Sequence, residues 1–243
     1  MKKLYISLLI ILALTPLADL DQSAYAFGKN ASEYFNMGLE SSLAYKRIDY
    51  FTKALALDPR LADAYEKRAI LFYFQGKYDR VIEDFTEYIR LVPDKADAFR
   101  MLAMGYLKTG NYQKAIVNFD RAIHFAPEMS SAYAYRAEAF RKNGQINDAI
   151  QDAGMAIKTG SDMRILADVY RTRAKAYQEL GEETWADDDF KRAAEIDPRY
   201  FFYRYVSGYA DLEDIRRAGL LGMIGLAFVF IFGFKLKAPK KDE

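Results

Sequence analysis

The residues able to do chemistry are few, and their spacing limits what they can do. The chain has one histidine, His124, and no cysteine. A lone imidazole builds no histidine-rich metal site. The absence of thiols removes disulfides, thiolate ligands, a cysteine nucleophile and the lipidated cysteine of a bacterial lipoprotein. His124 is expected near a helix end, where a surface role suits it better than that of a ligand or base. Asp187-Asp188-Asp189 is the longest carboxylate run. Consecutive helix residues point in different directions, so the run reads as a solvated face rather than a metal site. No glycine-rich phosphate loop and no basic-aromatic patch of the nucleic-acid type stands out. A formal net charge of +1 gives no global pull toward nucleic acid or acidic membrane. The expectation is a chain that is not an enzyme, with no cofactor, no metal, no small-molecule substrate and no nucleic-acid partner.

A second charged set recurs at fixed spacing. Arg68, Arg136 and Arg173 are each followed 16 residues later by Asp84, Asp152 and Asp189. Where the arginine place holds Leu102, the partner place holds Asn118, and an earlier counterpart holds Met37 and Tyr50. Arg and Asp appear together or not at all. That pattern predicts partly buried, bidentate ion pairs joining two helices, because an unpaired arginine there would be costly to bury. The competing reading is coincidence among surface charges.

These residues ride on an internal repeat. Ala62–Lys95 is restated from Ala96 onward: Tyr65 falls on Phe99, Ala69 on Ala103, Phe72 on Tyr106, Phe85 on Phe119. Gly76, Gly110 and Gly144 are 34 residues apart, as are Pro59, Pro93 and Pro127. Aromatic, small, aromatic, Gly, Ala, Phe, Ala and Pro at these offsets resemble the tetratricopeptide repeat.

Each repeat reads as two helices. In the second, Ala62–Phe74 is helix A, Gln75-Gly76 the turn and Tyr78–Val92 helix B, with Val81, Phe85 and Tyr88 at helical spacing. Residues 30–60 form a worn first repeat, with Gly38, Phe51, Ala54 and Pro59 in place. Gly38 to Pro59 is 21 residues against 24 from Ala69 to Pro93, which predicts a link about three residues short. Residues 62–198 hold four further repeats. The fourth closes at Thr159-Gly160-Ser161 without proline, and the fifth is delayed by three residues, placed between repeats where insertion costs little.

The resemblance covers about residues 30–198 and implies an all-α fold, an α-solenoid of helical hairpins whose A helices line a concave face that binds proteins or peptides. By that analogy the binding positions are Glu66, Ile70 and Tyr73, then Arg100, Met104 and Leu107, then Glu138, Arg141, Arg171, Lys175 and Gln178. The early part offers apolar anchors and the late part is mostly basic, which fits an extended segment with an apolar end and an acidic end. The competing reading is a solvated face, with binding elsewhere. The family's two-carboxylate clamp uses Lys and Asn on helix A. Glu66/Ile70 and Arg100/Met104 do not match it, so chaperone C-terminal peptides are not the expected ligand.

The ends suggest a membrane. Residues 1–26 read as a signal peptide, or an uncleaved signal anchor: Met1-Lys2-Lys3, the apolar run Leu4–Leu14, Pro16, and a small-x-small site at Ala24-Tyr25-Ala26. Residues 199–217 begin with Arg199-Tyr200-Phe201-Phe202-Tyr203-Arg204-Tyr205, a capping helix over the last repeat or an aromatic belt at the bilayer surface. Residues 218–236 are long and apolar enough for a transmembrane helix, and residues 237–243 are a basic tail. Ala218, Gly222 and Gly225 share a face that would allow a weak homodimer. The tail lysines outnumber Arg216-Arg217, which puts the tail in the cytoplasm and the repeats on the periplasmic or other extracytoplasmic side. The expected function is that of a membrane-anchored scaffold or adaptor in envelope complex assembly. The alternatives are an accessory or regulatory subunit of an envelope enzyme, or a cytosol-facing, tail-anchored receptor.

Overall fold

Short-range rules account for most of the hairpin geometry. The computed structural model describes residues 29–197. The signal-like segment, Pro198, the segment 199–217, the apolar stretch 218–236 and the tail 237–243 lie outside the described residues. Among the described residues there are ten α-helices and no strand. They are α1 (Ala31–Glu40), α2 (Ala44–Leu57), α3 (Ala62–Phe74), α4 (Tyr78–Leu91), α5 (Ala96–Lys108), α6 (Tyr112–Phe125), α7 (Ser130–Lys142), α8 (Ile146–Lys158), α9 (Met163–Glu179) and α10 (Glu183–Ile196). Among them no helix is long and apolar enough to cross a membrane.

The array opens on a capping box. Asn30 accepts from the Glu33 backbone N–H at 2.9 Å and donates Nδ2 to the Glu33 carboxylate at 3.0 Å. Four hairpins then turn in the same way. Gly76, Gly110, Gly144 and Gly181 sit at φ of 71°, 80°, 81° and 79°, a conformation in which a β-carbon is strained. The next residue closes the helix end: Lys77 N–H donates to Phe72 C=O at 2.9 Å, and Asn111, Gln145 and Glu182 do likewise to Tyr106, Phe140 and Tyr177.

The first hairpin departs from this, and from the sequence expectation. Its link, Ser41–Leu43, has three residues, as does Gln75–Lys77. The missing residues come from the helix instead: α1 has 10 residues where α3 has 13. No left-handed glycine is used. Ser41 is extended, and Arg47 Nε donates to the Gly38 carbonyl at 3.2 Å. The delay before the fifth repeat is also largely helical. α9 has 17 residues, opening with an extra turn capped by Asp162, whose side chain accepts from Arg164 N–H at 2.9 Å.

The described chain divides into two compact units, one reaching Ala132 and the other starting at Tyr133 within α7. In the first, the small residue of helix A meets the phenylalanine of helix B. A β-carbon built on Gly38 would lie 2.5 Å from the Phe51 ring, so only glycine admits that contact. Phe51 is fully buried, and Leu55 and Ala64 pack with it. A second core joins Ala69, Val81, Phe85 and Tyr88 to Ala98 and Leu102, tying one hairpin to the next. Gly105 lets α5 approach α4, where a β-carbon would meet Ile82 at 2.9 Å. The second unit packs Ala134, Ala137, Ala153, Ala156 and Val169 together, and Ala174, Ala186 and Phe190 beyond them. Its alanines set close helix contacts, while Phe190 fills the space at the last hairpin.

Candidate partner-binding site

The A helices carry one side-chain stripe that hairpin packing does not consume. On α3, Asp63, Glu66, Ile70, Tyr73 and Phe74 follow one another at helical spacing. The Glu66 carboxylate lies 2.8 Å from Lys67 Nζ and its side chain is 32% exposed. Ile70 and Tyr73 are half-buried against the second core. The Tyr73 ring meets Phe74 edge-on at 6.1 Å and Tyr78 at 5.7 Å. Phe74 itself is 81% exposed, and Leu39 and Leu43 of the first hairpin are exposed too. At the opposite end of α3 the field is negative. Burial pushes the Tyr88 phenol up, and Glu66 and Asp63 push it further, with Lys67 opposing.

On α5 the expected anchors are not available. Met104 and Leu107 are 6% and 5% exposed, so they pack rather than present. The reason lies in the helix: Ala98, Phe99, Leu102, Ala103, Met104, Gly105 and Leu107 are all buried, which leaves no apolar stripe facing water. Arg100 remains at the surface, paired with Asp97 at 2.8 Å.

The second unit corrects the expected basic stretch. Arg141 Nη1 lies 2.6 Å from Glu179, Arg171 lies 3.3 Å from Asp168, and Lys142 lies 3.9 Å from Glu138. Lys175 and Gln178 are half-buried. Each of these acids neutralises a neighbouring cation, so the stretch presents no uncompensated positive field. Arg141 and Arg171 side chains are only 16% and 13% exposed. Glu179 stands 38 residues from Arg141 on the next A helix, a pairing the repeat alignment alone does not reveal.

The repeated Arg and Asp residues come together inside three hairpins. Arg68 donates Nε to Asp84 Oδ2 at 2.9 Å and Nη2 to Oδ1 at 2.6 Å. Arg136 does the same to Asp152 at 2.6 and 2.8 Å, and Arg173 to Asp189 at 2.6 and 2.8 Å. The aspartates are 3–4% exposed. Aromatic rings flank the guanidinium groups: Tyr65 and Phe72 lie 5.8 Å from Arg68, and Tyr133 and Phe140 lie 5.5 Å from Arg136. Arg68 also donates to Thr52 at 3.0 Å, reaching the preceding hairpin. Burial pushes the Asp84 carboxyl above its ordinary range, with the Arg68 guanidinium pulling the other way. The hydrogen bond from Asp189 raises Arg173 further. In the third hairpin Leu102 packs in the core, and Asn118 Nδ2 turns back to its own helix at Lys114 C=O, 2.8 Å away. These pairs hold helices together and offer nothing to a ligand.

The residues with catalytic chemistry stay apart. His124 is exposed beside Phe125, with ring centroids 5.3 Å apart. Asp187 and Asp188 are exposed while Asp189 turns inward to Arg173. Sequence reasoning missed Phe74, which sits one place beyond the analogous binding position. Its only signal was a phenylalanine directly before a turn.

Comparisons with known proteins agree with this geometry. A tetratricopeptide repeat family model matches residues 66–129 and 100–162. No curated protein matches the sequence. Among solved structures, a MamA protein is 21% identical with a TM-score of 0.63, covering 76% of this chain and 99% of its own. YrrB, described as a TPR protein with an unusual peptide-binding site, is 18% identical with a TM-score of 0.63, covering 78% and 97%. MamA 41-end from Desulfovibrio magneticus RS-1 is 16% identical with a TM-score of 0.62, covering 71% and 97%. At such identities the likeness concerns the fold. Sequence pattern and fold together mark residues 66–162 as tetratricopeptide repeats.

Proposed function

We propose that this chain is a membrane-anchored scaffold that binds partner proteins or peptides through its A helices, on the exported side of the membrane, in envelope complex assembly. The observation that carries the reading is the α3 stripe. Ile70 and Tyr73 are half-buried, and Phe74 is 81% exposed beside them. An exposed aromatic next to anchored apolar neighbours is the composition of an interaction surface, since a solitary ring in water gains nothing for the fold. YrrB, of the same fold, is described as having a peptide-binding site. The scattered placement of His124 and the acidic run favours a binding role over catalysis. The anchor rests on sequence: the apolar stretch 218–236 with its flanking basic residues, and the signal-like segment 1–26. A weak homodimer through Ala218, Gly222 and Gly225 belongs to the same reading.

Two measurements test it. Protease added to spheroplasts should digest the repeats and spare the C-terminal tail, and protected repeats would refute the topology. Crosslinked membranes should yield partner proteins from the wild type that are lost with Ile70→Ala and Tyr73→Ala together. Undiminished recovery would refute the site.

A further inference from the structure

The exposure of Phe74 has a cause in the repeat itself. Counting each repeat from the residue seven before its small helix-A residue, Arg141 is the twelfth and Glu179, in the following repeat, the thirteenth. They meet at 2.6 Å across adjacent A helices. The twelfth place of one repeat therefore covers the thirteenth of the next. Phe74 is a thirteenth residue. The twelfth residue of the preceding repeat does not exist, because α1 ends at its tenth, Glu40. The lost residues would have added about 4.5 Å of helix. What remains is a notch one side chain deep, floored by Phe74, with Tyr73 and Tyr78 edge-on to one another beside it.

We propose that this notch receives one bulky apolar side chain from an extended segment of a partner protein, whose Lys or Arg residue then lies over Asp63 and Glu66. This rests on the scaffold reading above and narrows its ligand. A gap of less than one helical turn excludes a docked helix and admits a side chain. Charge complementarity sets the rest. Asp63 and Glu66 lie eleven and eight residues before Phe74 on the same stripe, about 12–17 Å along the helix. An extended chain covers that distance in about four or five residues. The partner is therefore basic beside its anchor, not acidic as the cations of the second unit first suggested, since Glu179 and Asp168 already occupy those.

The test uses immobilised full-length chain and a library of random dodecapeptides displayed on phage. Enriched peptides are synthesised with a fluorescent label and their Kd measured by anisotropy. The expected consensus is one Leu, Met, Phe or Trp with Lys or Arg four or five places away. Phe74→Ala should weaken binding by about tenfold or more, the scale for a buried aromatic anchor. A variant with three residues inserted between Glu40 and Ser41, restoring the missing turn, should weaken it similarly while keeping the wild-type melting curve. Trp185→Ala, at a ring 60% exposed in the other unit, should leave Kd unchanged. Peptides that bind Phe74→Ala and wild type equally overturn the notch and leave the scaffold reading standing. An acidic consensus overturns the charge assignment. Failure to enrich any peptide counts against both. A change of oligomeric state in Phe74→Ala would mean that a second copy fills the notch, and would also overturn the proposal.

Discussion

Removing Arg136 should leave the Asp152 carboxylate buried with its bidentate partner gone, and the cost can be worked from the geometry. Asp152 is 4% exposed, and Arg136 supplies two hydrogen bonds, at 2.6 and 2.8 Å. Stranding such a charge costs about 3–5 kcal/mol. Contacts of the guanidinium with Tyr133 and Phe140 at 5.5 Å add about 0.5–1 kcal/mol to what is lost. Arg136→Ala should therefore destabilise the chain by about 3–5 kcal/mol, and Asp152→Ala by a similar amount. The double variant Arg136→Leu with Asp152→Asn copies the third hairpin, where Leu102 packs and Asn118 serves its own helix. It should lie within about 1 kcal/mol of wild type, because replacing a buried pair outright removes both desolvation costs. The assay is urea unfolding of the full-length chain by circular dichroism, with hydrogen exchange on α7 and α8 to localise the loss. Additive single losses in the double variant, or single losses below about 1 kcal/mol, would refute the buried-pair reasoning.

Three further outcomes follow from the same structure. Asp84 has a folded pKa raised by burial, so its contribution to stability is fully present below the ordinary aspartate range and is lost as pH rises through the folded value. The loss caused by Asp84→Asn, measured by urea unfolding from pH 4 to 7, should shrink as pH rises; a growing loss would show that Arg68 outweighs burial. Gly38→Ala should destabilise by about 1–3 kcal/mol in thermal or urea unfolding, because the added carbon would sit 2.5 Å from the buried Phe51 ring; a neutral result would refute the close approach. Glu179→Gln should cost about 0–1 kcal/mol, since the pair with Arg141 has a 40% exposed acid and is screened by salt; a loss above about 2 kcal/mol would make it a structural clasp.

Short-range and periodic features were the legible ones. Gly76 and Gly110 repeat because a left-handed turn repeats, and the alternation of Arg68/Asp84 with Leu102/Asn118 reports a pair of places that must change together. What escaped depends on three-dimensional neighbours. Met104 and Leu107 hold the same repeat places as Ile70 and Tyr73 but are buried, because α5 is apolar on nearly every side and α3 is not. Arg141 looked like a free cation until Glu179, on another hairpin, was placed beside it. The shortening of the first repeat was visible as a number, but not its location. A deleted turn of helix and a shortened link give the same spacing, and only the observed end of α1 at Glu40 separates them. Phe74 became meaningful through that same end.

Position-specific crosslinking in living cells tests the central claim most directly. A photoreactive p-benzoylphenylalanine placed at Phe74 replaces an aromatic that is already 81% exposed, so the fold should tolerate it. The same probe at Glu87, exposed on α4 away from the α3 stripe, serves as the control. Light should give a discrete adduct to a second protein from Phe74 and none from Glu87. Adducts from Glu87 with none from Phe74 would contradict the assignment of partner binding to the A helices.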